Sequence, residues 1–270
     1  MKVVAELSEI RRSYTQNGEL VWEFIKRDFL ARYRGSFLGV GWSLVTPLVM
    51  LAVYYVVFGL AFQRSSEAGT HRASFVLTLF AGLMVHNFVS EALNRAPSLI
   101  VSHPNYVKKV VFPLEVLPLV SVCSAGIQFT ISAALLLVCC LIFGNPIHPT
   151  VFLTPVVMLP ISLITLGLSL FLSSLGVYLR DISQGIGMIT SAMLFLSPVF
   201  YPMSALPETY RPLLLLNPVT IPVEQFKEVL LYGEMINWLW WSASLLVGCL
   251  LVLAGHAWFQ KSRMGFADAL

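Results

Sequence analysis

The stretch KRDFLARYRGSFLGVGWSLVTPL, residues 26–48, decides how the chain folds. Its first nine residues hold four Lys/Arg and one Asp, and from residue 35 the chain runs 29 residues, to 63, without a charge. The hydrocarbon core of a bilayer takes roughly 20 apolar residues of helix. Basic residues stay on the cytoplasmic side of such a span. The stretch therefore reads as a charged surface segment that turns, at a Gly-Ser step, into a membrane helix.

The rest of the chain follows. Of its 270 residues 57% are hydrophobic and 11% charged, with mean hydropathy +0.79. Soluble domains carry about 25% charged residues, so much of this surface must face lipid. Cys123, Cys139, Cys140 and Cys249 all lie in apolar runs, without C-x-x-C or His at ligand spacing. They read as small buried hydrophobes, with no disulfide framework and no metal site. The first apolar run is too long for a signal-peptide core and no A-x-A-like site follows it.

The fold class is an all-α membrane protein, one domain over residues 1–270, with six predicted spans at about 37–62, 73–99, 114–143, 151–178, 182–201 and 235–260. Residues 116–179 are charge-free for 64 positions, enough for two crossings, broken by GNPIHPT at 144–150. The last span opens on NWLWW, an aromatic set suited to a membrane interface. Six spans put both termini on one side. That side holds 13 of the 17 Lys/Arg, so both termini are expected in the cytoplasm.

The loop at 202–234 contains two apolar pieces, RPLLLL and VTIPVEQFKEVLLY, split by Asn217-Pro218. Each is too short to cross, which predicts two re-entrant or interfacial helices, the alternative being an ordinary external loop. Residues 20–34 form an amphipathic pattern at 100° per residue. Val21, Trp22, Ile25, Phe29, Leu30 and Tyr33 share one half, Glu23, Arg27 and Arg34 the other, and Phe24 and Asp28 break the pattern. That predicts a helix lying in the membrane surface; the plainer reading is a topology-setting basic flank. In VSHPNYVKKVVFPLEVLP, residues 101–118, Ser102 could cap a short helix that Pro104 starts and Pro113 ends. The plainer reading is a connecting turn.

Several chemistries are missing. No G-x-x-x-x-G-K-[ST] is present, so no phosphate-cradling loop of that kind is encoded. Glu91, Glu115, Arg180 and Asp181 fall near predicted span ends, and the mid-span pair His86–Asn87 reads as a hydrogen-bonded structural feature rather than an ion relay. No catalytic acid/base or nucleophile set stands out, so the chain is not expected to be an enzyme.

Four segments together resemble the ABC-2 type permeases that export lipid-linked polysaccharides such as O-antigen, teichoic acid and capsule. They are RDFLARYRGSFLGVGWSLVTPL, HPNYVKKVVFPLEVLPL, YLRDISQ and LSPVFYPMSALPETYRPLLLLNPV. The resemblance spans nearly the whole chain except its first 18 residues. It implies a homodimer with two copies of a separate ATPase subunit, which alone holds ATP and Mg. It implies a lipid-linked polysaccharide as cargo, membrane lipids as surroundings and no nucleic acid. The N-terminal surface helix and a coupling helix over about 103–111 would then dock on the ATPase through Arg27, Arg32, Arg34, His103, Asn105, Tyr106, Lys108 and Lys109. External gate helices would match 207–216 and 219–231, with Pro207, Tyr210, Leu214, Asn217, Pro218 and Gln225. Arg180 and Asp181 match the family's cytoplasmic charge pair, where adjacent opposite charges can cap helix ends and neutralise each other.

A sugar path needs aromatic faces and hydroxyl partners. Trp42, Tyr54, Tyr55 and Phe58 on the first span and Tyr201 at the end of the fifth are the candidate channel aromatics, with lipid-facing or core packing as the plainer alternative. Gly39 and Gly41 are expected to let the first span pack closely on a neighbour. Two rival functions remain open to the sequence: a permease for a small amphiphile, and a non-transport scaffold of polysaccharide synthesis.

Overall fold

The computed structural model describes residues 18–61, 69–108, 113–201, 203 and 207–269. Every regular element among them is helical. In chain order they are α1 (Gly18–Ala31), α2 (Trp42–Ala61), α3 (Gly69–Arg95), α4 (Pro104–Lys108), α5 (Val116–Ile142), α6 (Thr154–Tyr178), α7 (Ile182–Phe195), α8 (Arg211–Leu215), α9 (Thr220–Lys227), α10 (Trp238–Arg263) and α11 (Phe266–Ala269). A π-helical turn, Glu228–Tyr232, extends α9 and stops at Gly233, φ 72°.

Five segments are long and apolar enough to cross a membrane, built on α2, α3, α5, α6 and α10. The expected span at 182–201 is helical only over Ile182–Phe195, 14 residues. At 1.5 Å per residue that helix rises about 21 Å, short of a bilayer core of about 30 Å. Ser197-Pro198 takes the backbone out of the helix.

α3 is the hub. It packs on α2, α5, α6, α7 and α9. Some 78% of its apolar window is buried, against 17% for α2 and α10. The outer faces of α2 and α10 are thus left for lipid or another chain. Proline inside α2 (Pro47) and α6 (Pro160) removes one ladder bond from each helix, which neighbouring helices make tolerable.

α6 and α10 approach until backbone touches backbone. A Cβ on Gly167 would lie 2.5 Å from the Leu251 carbonyl carbon, and one on Gly255 would lie 2.4 Å from the Gly167 oxygen. In lipid the hydrophobic effect does not drive helices together, so close van der Waals packing of small residues does. Trp241 Nε1 donates to the Val156 carbonyl at one end of this pair, and Tyr178 Oη donates to the Ser262 carbonyl at the other.

α1 ends at Ala31, three residues before the expected end, and residues 32–35 form a turn. Gly35, at φ 87°, lies in the bend between α1 and α2. Gly39, expected to serve close packing, has nothing within 4 Å of a would-be Cβ; its φ of 53° is what requires glycine. Gly41 likewise meets only Leu38, at 3.7 Å. The predicted buried stripe of α1 is narrower than the sequence pattern. Val21 and Ile25 pack on Val116 and Val120 of α5 and Phe29 is buried, whereas Trp22 and Leu30 face outward.

Candidate functional site

At the end of the molecule where α1 lies, the residues that broke the amphipathic pattern do the holding. Asp28 accepts two hydrogen bonds from Arg95 at the end of α3, at 3.0 and 2.6 Å, a paired fork-to-carboxylate contact. Arg32 bonds and ion-pairs with Glu91, one turn before Arg95, and donates to Ser124 Oγ of α5 at 2.6 Å. Tyr33 Oη donates to Gln128 Oε1 at 2.9 Å, and Gln128 Nε2 donates to the Ser43 carbonyl at 2.8 Å. Burial alone would raise the Asp28 carboxyl. The Arg95 hydrogen bonds and charge, then Ser124 and Arg32, outweigh it and hold Asp28 below the ordinary carboxylate range.

This clamp was missed from the sequence, although a signal existed. Asp28–Arg32 and Glu91–Arg95 are both acid-base pairs at i, i+4, and the two pairs cross-bond between helices. Of the basic residues expected to dock a partner, Arg32 is therefore turned inward and engaged. Arg27 and Arg34 are exposed.

Phe24, the other apparent misfit, meets Tyr106 edge-on with ring centroids 5.9 Å apart. That contact ties α1 to α4. His103 stacks on Tyr106 at 5.5 Å and 12°, and its Nδ1 lies 2.9 Å from the Leu99 carbonyl. His103 and Asn105 are exposed, Tyr106 half-buried. The Lys108 side chain and all of residues 109–112, Lys109 among them, lie outside the described residues, and with them the predicted helix end at Pro113. Ser102 does not cap α4: its hydroxyl donates back to the Ser98 carbonyl, at 2.7 Å. Glu115 at the start of α5 pairs with Arg263 at the end of α10, at 3.4 Å. Contacts thus gather α1, α4, the ends of α3, α6 and α10, and the start of α5 at one end of the molecule. Arg180 and Asp181 are exposed, with no ion pair between them among the described residues, and the Asp181 side chain makes no capping bond to α7.

A cleft of about 360 Å³ opens between α2, α3 and α5 above the Arg32–Glu91 pair. Tyr54, Asn87, Gln128 and Phe88 are among its walls. The expected aromatic set divides here. Tyr54 lines this cleft, while Tyr55 stacks on Phe143 at 5.6 Å and 20°. Trp42 is exposed, Tyr201 Oη donates to the Phe195 carbonyl at 2.9 Å, and the Phe58 side chain lies outside the described residues. Asn87 is exposed; the neighbouring His86 is buried, and its Nδ1 has no hydrogen-bond partner among the described residues, where the sequence predicts one.

At the opposite end, α8 and α9 form a helical hairpin around Asn217-Pro218. Asn217 is buried. Its Oδ1 accepts from Val219 N at 3.1 Å, while its Nδ2 donates to Met193 O at 2.7 Å and Leu196 O at 3.2 Å. Thr220 Oγ1 donates to Leu214 O at 2.6 Å, closing the turn. Leu214 and Gln225 are buried, and Gln225 Nε2 donates to the Asn237 carbonyl at 2.9 Å. Pro218 is half-buried, and Pro207 and Tyr210 are exposed.

The described residues are all-helical where regular, with five apolar segments long enough to cross a membrane, and the family comparison says what kind of membrane protein this is. The ABC-2 type transporter model matches residues 19–231, and the chain belongs to that family. Among curated proteins it is 29% identical over 265 residues to the O-antigen export system permease protein RfbA of Myxococcus xanthus, covering 97% of this chain and 98% of that one. It is 26% identical over 254 residues to the RfbA permease of Klebsiella pneumoniae, covering 93% and 95%.

Proposed function

We propose that the chain is the transmembrane subunit of an ATP-driven exporter that carries a lipid-linked polysaccharide from the cytoplasm across the inner membrane. The observation that carries the reading is the joint surface of α1 and α4, bound to each other through Phe24–Tyr106 and presenting Arg27, Arg34, His103 and Asn105 outward. A permease without a nucleotide site needs such a surface to receive work from a partner. The cargo follows from the relatives, permeases named for O-antigen export that match over nearly their whole length.

In this reading two copies pair with two ATPase subunits, which hold ATP and Mg. Closure of the ATPases pushes on α4, and the clamp at Asp28–Arg95 passes the push to α3. α7 with the turn after it completes a sixth crossing, both termini are cytoplasmic, and α8–α9 is the external gate. The gathering of Lys26, Arg27, Arg34, Arg95 and Arg263 at the α1 end of the molecule supports that orientation. Tyr54, Asn87 and Gln128 give the cleft one aromatic face and two amide groups, a set suited to sugar rings and hydroxyls.

The test is copurification with an ATPase subunit from the cells that make this chain, then ATP hydrolysis with and without lipid-linked glycans. Stimulation by a glycan and not by small amphiphiles is the expected result. Failure to recover any ATPase would remove the reading.

A further inference from the structure

The outer end of α7 is capped in an unusual way. Beyond Phe195 the backbone leaves the helix while Ser197, Pro198 and Val199 are buried in the protein, and a buried carbonyl freed from the helix needs a donor. Each carbonyl from Met193 to Val199 finds one. Ser197 Oγ serves Leu194 at 2.9 Å, Tyr201 Oη serves Phe195 at 2.9 Å, and Val199 N serves Ser197 at 2.8 Å. The remaining four are served from the outer hairpin: Met193 and Leu196 by Asn217 Nδ2, Pro198 by Lys227 Nζ, and Val199 by Lys227 Nζ at 3.5 Å.

Lys227 is an odd choice for packing. It is 5% exposed and makes no ion pair among the described residues. Burying an ammonium that forms no direct ion pair is costly even with the Glu224 carboxylate of the same helix acting on it, and an apolar side chain would fill the space at lower cost. Gly82 of α3 leaves room for its stem: a Cβ there would sit 2.9 Å from Lys227 Cε and 3.3 Å from Val199 Cα. The other side of α7 faces α3, where Asn94 Nδ2 lies 3.4 Å from Thr190 Oγ1. Asn94 is the neighbour of Arg95, which holds α1.

We infer that Asn217 and Lys227 are positioning residues that fasten the outer hairpin to the end of α7, so that a displacement of α7 moves the gate. The inference rests on the exporter reading given above. Contact shows adjacency and not coupling, so the test must measure export per ATP. The full chain is reconstituted with its ATPase, and complex yield, ATP hydrolysis and glycan export are measured for wild type, Lys227→Met, Lys227→Arg and Asn217→Asp. Asn217→Asp removes the donor to α7 and keeps the acceptor for Val219 N.

Lys227→Met and Asn217→Asp are expected to assemble and to hydrolyse ATP within about two-fold of wild type, with export per ATP down about ten-fold or more. Lys227→Arg restores most of the export. Unchanged export per ATP in both variants overturns the inference while leaving the exporter reading intact. Loss of assembly in both also overturns it, because the bonds would then be folding staples only. Absence of export by the wild type removes the exporter reading, and the inference with it.

Discussion

Asp28 shows how much one residue decides. It breaks the apolar stripe of α1, and it is the group by which α1 is held to α3. Asp28→Asn leaves the Arg95 guanidinium facing a neutral amide. The expected cost is about 1–3 kcal/mol, below that of breaking a fully buried pair because both side chains remain partly exposed. The pH dependence has a fixed sign. A carboxyl depressed in the folded state stabilises the fold above its ordinary value of 3.8, and that contribution fades as pH falls through the depressed folded value. Melting in detergent, followed by tryptophan fluorescence, should show wild type losing stability steeply on acidification below about pH 4. The Asp28→Asn variant flattens part of that slope. Tyr54 and Tyr55 make a second residue-scale contrast. Tyr54→Ala should lower glycan export several-fold with assembly intact, whereas Tyr55→Ala removes a stack on Phe143 and acts mainly on stability. Export assays beside complex yields separate the two, and equal effects on export would sink the division of roles.

At the scale of elements, the α6–α10 pair is the least tolerant contact. Gly255→Ala forces a methyl into the Gly167 carbonyl, and backbone cannot swing aside as a side chain can. Overpacking of this kind costs about 1–3 kcal/mol, so the melting temperature in the same fluorescence assay should fall by several degrees. Gly185 on α7, with nothing within 4 Å of its would-be Cβ, is the control and should accept Ala without loss. α7 itself illustrates a limit of periodicity. Residues 182–201 are uncharged throughout and mostly apolar, and hydropathy cannot tell a long helix from a short one followed by a capped turn. The difference lies in Asn217 and Lys227, distant in sequence, whose side chains supply the donors that the broken helix needs.

At the scale of the whole molecule, one end carries the basic, clamped elements and the other the hairpin. If the α1–α4 surface receives the ATPase, Arg27→Glu with Arg34→Glu should reduce recovery of the ATPase about ten-fold while leaving the permease monodisperse, since neither residue supports the fold. Recovery is measured by pull-down at low and high salt; the wild-type complex should weaken with salt if these charges steer it. The open faces of α2 and α10 are where a second copy or lipid would lie, and cross-linking between cysteines placed along α2 would show which.

Local chemistry determined most of the architecture. Runs of 20 or more apolar residues leave a chain no choice but to bury them in lipid as helices, because each backbone polar group must be satisfied within its own segment. Lys/Arg placement gave the expected orientation by the same kind of local cost. What only the tertiary structure decided were pairings between segments: Asp28 with Arg95, Arg32 with Glu91, Phe24 with Tyr106, Lys227 with the carbonyls after α7. A polar group inside an apolar segment has a cost the sequence reveals, but its partner is chosen by which helices the packing brings side by side.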